Sequence, residues 1–378
     1  MASAAIAARV SATPETLTIE WRSGGVSEFA SLWLRDNVRE DHDPANGQRL
    51  VDIVDLPAAP RIRRARADNG RLHIEWEGEE RGAAFELSWL AAQAAGAAAQ
   101  RPELRRRLWL EGARLEAQRD FAWVELAAVR AELRVRLEWL TRLAQDGIAF
   151  MTAVPSDASA ILDAVSLLGR VAETNYGLVF DVRSVPQPEN LAYSDLGLGL
   201  HTDNPYREPV PGFQALHALV TSPEGGDSLF ADGFALAAHL RSSAPDAFGL
   251  LTTTAVPFHY RSADAELYAE RPLIQLSCEG EVTAVHYNNR SIRVAARATP
   301  AFYAAYRRFA ALLREPRFQL RLKLADRDLV VFDNQRVLHG RTAFTSARHP
   351  RHLQGCYLTR DSVLSEASLL RRKLAEPS

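Results

Sequence analysis

Two short segments near the start of the chain alternate apolar and polar residues. TLTIEW (residues 16–21) places three apolar side chains on one face, and RLHIEW (71–76) repeats the pattern. A period of two is typical of half-buried β-strands, because successive side chains point to opposite faces of a sheet. We therefore predict a small β-rich module over residues 1–95.

The pattern changes twice beyond this module. An Ala-rich and Arg-rich stretch predicts a helical connector over residues 96–129. After two helical periods with a strand between them, short apolar runs such as FQALHALV (213–220) and LVVFDN (329–334) are separated by Gly, Pro, Asn and Asp. These runs predict a mainly β fold with helices over residues 130–378, built as a sandwich or barrel with helical cover.

Length, composition and charge restrict the class of protein. A chain of 378 residues with 47% hydrophobic content can bury a large core. The 45 basic and 47 acidic residues are scattered, so we expect no nucleic-acid partner. No apolar run of about 18 residues occurs, so we expect no membrane association and a cytoplasmic location. Cys278 and Cys356 are too few and too far apart for a disulfide framework.

Two histidines and one carboxylate have the composition of an iron site. HTD places His201 and Asp203 two residues apart, and His339 follows a predicted strand 138 residues after His201 (339 − 201). Two imidazoles and one carboxylate on one face of an iron ion leave three positions open for small ligands. Taken alone, the triplet has an ordinary alternative, because most such triplets are turn residues.

The residues around the triplet carry a family resemblance. HTD, EGGDSLFADGF (224–234), FDNQRVLHGR (332–341) and RHLQGCYLTRD (351–361) occur in the order and spacing of Fe(II)/2-oxoglutarate oxygenases of the taurine dioxygenase superfamily. With SLWLRDN (31–37), the chain more closely resembles the γ-butyrobetaine hydroxylase and trimethyllysine hydroxylase branch. The resemblance implies a double-stranded β-helix (jelly-roll) oxygenase domain, Fe(II), the cosubstrates 2-oxoglutarate and O2, a small-molecule substrate and a homodimer.

The resemblance also implies roles for single residues. His201, Asp203 and His339 match the iron ligands, and Arg351 matches the arginine that pairs with the distal carboxylate of 2-oxoglutarate. A guanidinium suits that role because its fork binds a carboxylate bidentately. Ser228 matches a hydroxyl residue that touches the same cosubstrate, although a serine at a strand end is also common.

Aromatic residues match a cage for a trimethylammonium group in this branch: Tyr176, Phe180, Tyr193 and Tyr357. A quaternary ammonium donates no hydrogen bond, so aromatic faces are a natural means of holding it. The alternative is that these aromatics are ordinary core residues.

Four further residues match the site for the anionic end of the substrate: Asn190, Asn288, Asn289 and Arg290. Arg290 departs from the butyrobetaine pattern, in which a small residue follows the amides. An added guanidinium suits the extra charge of a phosphonate. The alternative is that Arg290 points to solvent or braces a loop.

A second departure concerns metal in the N-terminal module. Relatives carry closely spaced cysteines and a later histidine that bind structural zinc, whereas Val38, Glu40, Asp43 and Arg81 stand near those positions here. Such sites require thiolates, so we expect no structural zinc.

The sequence thus predicts hydroxylation of a small trimethylammonium zwitterion, with 2-(trimethylammonio)ethylphosphonate as the leading candidate. The alternatives are γ-butyrobetaine, then trimethyllysine. A protein of a different class, which binds a quaternary ammonium compound without oxidising it, is less compatible with an intact ligand triad and Arg351.

Overall fold

The structure is a computed structural model that describes residues 7–95, 105–157, 159–183, 196–294, 299–344 and 351–375. The chain divides into two compact units, Met1–Pro102 and Glu103–Ser378. Within the described ranges, no helix is long and apolar enough to cross a membrane.

The part of the first unit that the structure describes contains two three-stranded antiparallel sheets and two α-helices. The first sheet consists of β1 (Ala7–Ala12), β2 (Thr16–Trp21) and β3 (Val26–Ala30). The second consists of β4 (Ile62–Asp68), β5 (Arg71–Trp76) and β6 (Ala83–Glu86). The helices are α1 (Ser31–Asp36) and α2 (Leu87–Ala95).

Both segments with alternating apolar residues are strands of this unit, β2 and β5. Their alternate residues Leu17, Ile19, Leu72 and Ile74 are buried in one hydrophobic cluster. Trp76 ends β5 in the same cluster, and its indole N–H donates to Ser31 Oγ at 3.0 Å. The polar end of this large buried side chain is therefore satisfied within the unit.

The second unit contains two larger sheets. The seven-stranded sheet comprises β7 (Trp123–Glu125), β8 (Ile148–Thr152), β9 (Val171–Ala172), β10 (Phe180–Arg183), β12 (Phe213–Val220), β19 (Leu329–Asp333) and β21 (His352–Leu358). The four-stranded sheet has the order β11 (Leu198–His201), β20 (Val337–Arg341), β13 (Ser228–Asp232) and β18 (Leu320–Leu322). Two hairpins join β14 (Val256–Arg261) to β15 (Glu266–Arg271) and β16 (Ile274–Leu276) to β17 (Val282–Val285).

Eight α-helices of this unit lie in the described ranges. They are α3 (Ala117–Asp120), α4 (Leu126–Ala131), α5 (Leu133–Asp146), α6 (Ala160–Ser166), α7 (Gly233–Ser243), α8 (Pro245–Thr253), α9 (Pro300–Arg314) and α10 (Arg360–Ala375).

The two larger sheets pack face to face. Phe150 and Phe332 from the seven-stranded sheet and Phe230 from the four-stranded sheet belong to one buried cluster. The alternate residues of β19, Leu329 and Val331, are buried on the opposite face with residues of α5, α6 and α10. A strand buried on both faces reads as a continuous apolar run, which explains LVVF. The second unit is therefore a β-sandwich with helical cover.

The predicted connector over residues 96–129 differs from the structure. Its residues from 105 onward belong to the second unit, and β7 pairs in parallel with β8 at the edge of the seven-stranded sheet. The indole of Trp123 stacks on the Phe150 ring at 4.3 Å between centroids. Aromatic packing thus ties this segment to the sheet, a long-range contact that the Ala and Arg composition does not reveal.

Candidate active site

His201, Asp203 and His339 lie together at one edge of the four-stranded sheet. His201 ends β11 and is the register partner of His339 on β20, so their rings lie 4.3 Å apart between centroids. Asp203 follows two residues later, with Oδ1 at 3.2 Å from His201 Nε2 and Oδ2 at 3.8 Å from His339 Nε2. One ligand atom of each residue lies within 4.8 Å of the others.

The protonation states suit a metal ion. His201 Nδ1 lies 2.9 Å from the Gly199 carbonyl, and a donor at Nδ1 leaves the Nε2 lone pair directed toward Asp203. Burial lowers the pKa of His201 and lowers the pKa of His339 to about 3. Burial alone would raise the pKa of Asp203, but the facing imidazoles of His201 and His339 lower it overall, so the group stays a carboxylate. Two neutral imidazoles and one carboxylate form a ligand set suited to Fe(II).

Arg351 lies beside this cluster as a buried charge. It is 8% exposed, and burial, followed by the charge of Arg341, lowers its pKa to about 10. No acidic partner of Arg351 occurs among the residues that the structure describes. A buried guanidinium without an acid favours binding of an anionic ligand, and a carboxylate fits its fork.

Gly226, in the segment EGGDSLFADGF, leaves room for the Arg351 side chain. A Cβ atom at Gly226 would lie 3.0 Å from Arg351 Cδ, and the glycine has a φ of +69°. Both the contact and the backbone favour glycine at this position. Ser228, two residues later, lines the same cavity as Arg351 and pairs with Arg341 across the sheet.

Three of the predicted cage residues lie in the wall of this cavity. The Phe180 ring lies 6.3 Å from Tyr176 and 5.1 Å from Tyr357 between centroids, and all three line the cavity that contains the triad. Tyr193 and Asn190 lie outside the described residues. The pattern did not predict two further tyrosines: Tyr260 stacks on Tyr206 at 5.0 Å and meets Tyr176 edge-on at 6.1 Å.

Of the three described residues predicted for the anionic end, all line one neighbouring cavity, and only Arg290 also lines the cavity that contains the triad. Arg290 lines the cavity with the triad, and its charge contributes to lowering the pKa of both histidines. Asn288 Nδ2 donates to the Thr202 carbonyl, and Asn288 Oδ1 accepts from the Arg290 backbone N–H. Asn289 accepts a hydrogen bond from the Tyr306 hydroxyl. Both amides line a neighbouring cavity and not the one that holds Asp203.

The sandwich, the histidine–carboxylate triad and the buried arginine define a non-haem iron oxygenase. Residues 112–357 match the family described as taurine catabolism dioxygenase TauD, TfdA family. The chain belongs to this family, and it is an Fe(II)- and 2-oxoglutarate-dependent dioxygenase that uses O2. The expected jelly-roll oxygenase fold and the expected cofactors are thereby confirmed.

Individual relatives are similar over most of the chain. It is 35% identical to a γ-butyrobetaine dioxygenase of Pseudomonas sp. (strain AK-1) over 368 residues, covering 94% of both chains. It is 28% identical to a trimethyllysine dioxygenase of Meyerozyma guilliermondii, again covering 94% of both. A solved asparagine oxygenase is similar in fold, with a TM-score of 0.51, 18% identity and coverage of 62% of this chain and 83% of that one.

Proposed function

We propose that this dioxygenase hydroxylates γ-butyrobetaine, a trimethylammonium carboxylate. One observation carries the proposal: three aromatic side chains and the Arg290 guanidinium line the same cavity as the triad. A zwitterion has a cation at one end and an anion at the other, so its site requires aromatic faces for the cation and a positively charged side chain for the anion. The names of the relatives above support the trimethylammonium class, and the more similar of the two is named for γ-butyrobetaine.

In this proposal His201, Asp203 and His339 hold Fe(II), while Arg351 and Ser228 hold the distal carboxylate of 2-oxoglutarate. Bound iron and 2-oxoglutarate supply the O2 activation that oxidises a C–H bond. The residues of the chain contribute placement, because small displacements of the reacting carbon reduce the rate strongly.

The trimethylammonium group is proposed to contact the faces of Tyr176, Phe180 and Tyr357. Each cation–π contact contributes about 0.5 to 2 kcal/mol, with the larger values in desolvated sites. The larger values apply to Tyr357, which is 4% exposed, whereas Tyr176 and Phe180 are only partly buried. Tyr193 stays a predicted fourth member of this group.

The anionic end is proposed to bind Arg290. Neither Asn288 nor Asn289 lines the cavity that contains the triad, which leaves Arg290 as the main anion donor there among the described residues predicted for this end. Asn190 stays a prediction. A guanidinium can hold either a carboxylate or a phosphonate bidentately, so substrate comparison has to distinguish them.

The test is mass spectrometry of candidate substrates incubated with the Fe(II)-loaded enzyme, 2-oxoglutarate and O2. We expect one added oxygen on γ-butyrobetaine and little turnover of 5,5-dimethylhexanoate, in which carbon replaces the quaternary nitrogen. Equal turnover of this uncharged-end control would reject the aromatic cation site. Oxidation of trimethyllysine alone would reject γ-butyrobetaine as the substrate, and Fe(II) and 2-oxoglutarate binding without any turnover would favour a binding protein.

A second candidate substrate, 2-(trimethylammonio)ethylphosphonate, is favoured by the lining position of Arg290. If the phosphonate is the better substrate, Arg290→Ala should raise its KM far more than the KM of γ-butyrobetaine. An equal rise for both would leave γ-butyrobetaine as the proposed substrate.

We also propose a homodimer and a cytoplasmic location, as the family resemblance and the composition lead us to expect. Light scattering of the purified chain tests the first, and a monomer mass at working concentration would reject it. Cell fractionation tests the second.

A further inference from the structure

The backbone of Asp203 is held by the side chain of Asn334. The Asp203 N–H donates to Asn334 Oδ1 at 2.7 Å, and Asn334 Nδ2 donates back to the Asp203 carbonyl at 3.0 Å. Asp203 lies beyond the end of β11, and Asn204 after it has a φ of +54°. The chain therefore turns away from the sheet at this point, and the Asn334 amide replaces the backbone partner that a neighbouring strand would give.

Asn334 is itself fixed. It is fully buried in the turn between β19 and β20, its N–H donates to the Gly212 carbonyl at 2.9 Å, and its Nδ2 also donates to the Pro211 carbonyl at 3.2 Å. This amide thus has partners for both polar atoms, and its orientation is determined by the hydrogen bonds.

The carboxylate of Asp203 is held by a second residue from the other sheet. Tyr357, on β21 of the seven-stranded sheet, donates its hydroxyl to Asp203 Oδ2 at 2.8 Å. The same ring lines the cavity and lies against Phe180, so one side chain contacts both the proposed cation site and the proposed iron ligand.

We infer that Asn334 and Tyr357 are positioning residues for Asp203 as a metal ligand. Without them, the carboxylate would be free to rotate and its residue would lie on an unsupported turn. Hydrogen bonds to ligating carboxylates orient them, and their loss weakens metal binding by about 10- to 100-fold. The inference rests on the proposed function only in taking Asp203 as a ligand, and it gives Tyr357 a role beyond a π face.

Tyr357→Phe tests the inference because it removes one oxygen and keeps the ring. The matched control is Tyr176→Phe, which also removes one phenol oxygen from the aromatic group. The Tyr176 hydroxyl lies 3.4 Å from the Tyr206 hydroxyl and does not contact a candidate metal ligand. Mn(II) is the probe: its affinity follows from the EPR signal of the free ion, and the line shape of the bound ion reports its ligand geometry.

We expect Tyr357→Phe to weaken Mn(II) binding about 10- to 100-fold and to change the bound-ion line shape, while the metal-free variant stays folded. Tyr176→Phe should match the wild type in both signals. Unaltered affinity and line shape in Tyr357→Phe would overturn the role of Tyr357. A wild-type protein that binds no Mn(II) would overturn the metal centre itself, a different failure.

A second variant tests the backbone contact. Asn334→Asp keeps an acceptor for the Asp203 N–H but loses both donors to carbonyl groups. We expect weaker Mn(II) binding in this variant. Asn334→Gln returns an amide, but we expect binding to stay weak because the longer side chain misplaces that amide. Wild-type affinity in Asn334→Asp would overturn the role of Asn334.

Discussion

Two arginines, one in each unit, differ in whether acidic side chains compensate their charge. Arg35 in the first unit donates to Glu79 at 2.7 Å and to Asp41 at 2.5 Å, and its guanidinium lies 5.9 Å from the Trp76 ring. Burial alone would lower the pKa of Arg35, but the hydrogen bonds to the two acids raise it overall. Arg351 in the second unit is more deeply buried, and burial lowers its pKa to about 10.

The difference separates a structural charge from a functional one. Arg35 is satisfied within the protein and joins the segment after α1 to the turn between β5 and β6. Arg351 has no acidic partner among the described residues, so its desolvation is offset only when a ligand supplies a carboxylate. A buried charge that lacks a partner, next to a metal-ligand triad, therefore indicates a binding site.

The largest expected effect concerns Arg351. Replacement by Gln should weaken binding of 2-oxoglutarate about 100-fold or more, because two charge-assisted hydrogen bonds are lost. Calorimetry with the Mn(II)-loaded protein measures this without turnover. Arg351→Lys keeps the charge but not the fork, so an intermediate loss is expected. Wild-type affinity in Arg351→Gln would show that the carboxylate binds elsewhere.

Replacement of Arg35 should reduce stability and leave hydroxylation by the folded protein intact. Arg35→Met should lower the free energy of unfolding by about 1 to 3 kcal/mol, because it leaves two partly buried carboxylates unpaired. Hydroxylation by the folded protein should persist. Arg49→Met is the matched control: Arg49 pairs with Asp36 but is 49% exposed, and such pairs contribute about 0 to 1 kcal/mol. If urea unfolding shows equal losses of unfolding free energy in Arg35→Met and Arg49→Met, Arg35 has no special structural role.

A buried histidine offers a pH test of the second unit. Burial, with a smaller effect of the Arg271 charge, lowers the pKa of His286 to about 3. Because the unfolded chain binds this proton near pH 6.5, the unfolded state gains protons first as the pH falls, and stability decreases between about pH 6.5 and 3. His286→Gln should reduce that slope by up to about 1.4 kcal/mol per pH unit. An unaltered slope would reject a buried neutral His286.

The smallest expected effect is that of a chelator on the first unit. Val38, at one of the positions where relatives carry a zinc ligand, packs in the hydrophobic cluster, and Asp43 accepts from the backbone N–H groups of Ala45 and Asn46. We predict no zinc in the purified protein by elemental analysis. Prolonged dialysis against EDTA should leave the unfolding of this unit unaltered, and a lower melting temperature afterwards would reject the prediction.

The sequence predicted the parts of the site that lie within short motifs. The family resemblance assigned HxD, the distal histidine and Arg351, and in the structure His201 ends β11, His339 lies within β20 and Arg351 directly precedes β21. The pairing of His201 with His339 then follows from adjacency of β11 and β20 in the sheet. The apolar alternation likewise predicted β2 and β5 of the first unit.

Contacts between distant elements were not predictable in this way. Tyr260 reaches Tyr176 and Tyr206 from a hairpin, and Asn334 reaches Asp203 across 131 positions. Asn288 and Asn289 directly precede Arg290 as a pair, yet their side chains bond to Thr202 and Tyr306. Such directions depend on loop conformation and hairpin docking, which local patterns do not encode.

The most direct test of the central claim is the ratio of succinate formed to γ-butyrobetaine hydroxylated, measured in one reaction with the wild type and with Asp203→Ala. We predict one hydroxylated product for each succinate in the wild type and neither product in the variant. Succinate without hydroxylated γ-butyrobetaine in the wild type, or hydroxylation retained by Asp203→Ala, would contradict the account.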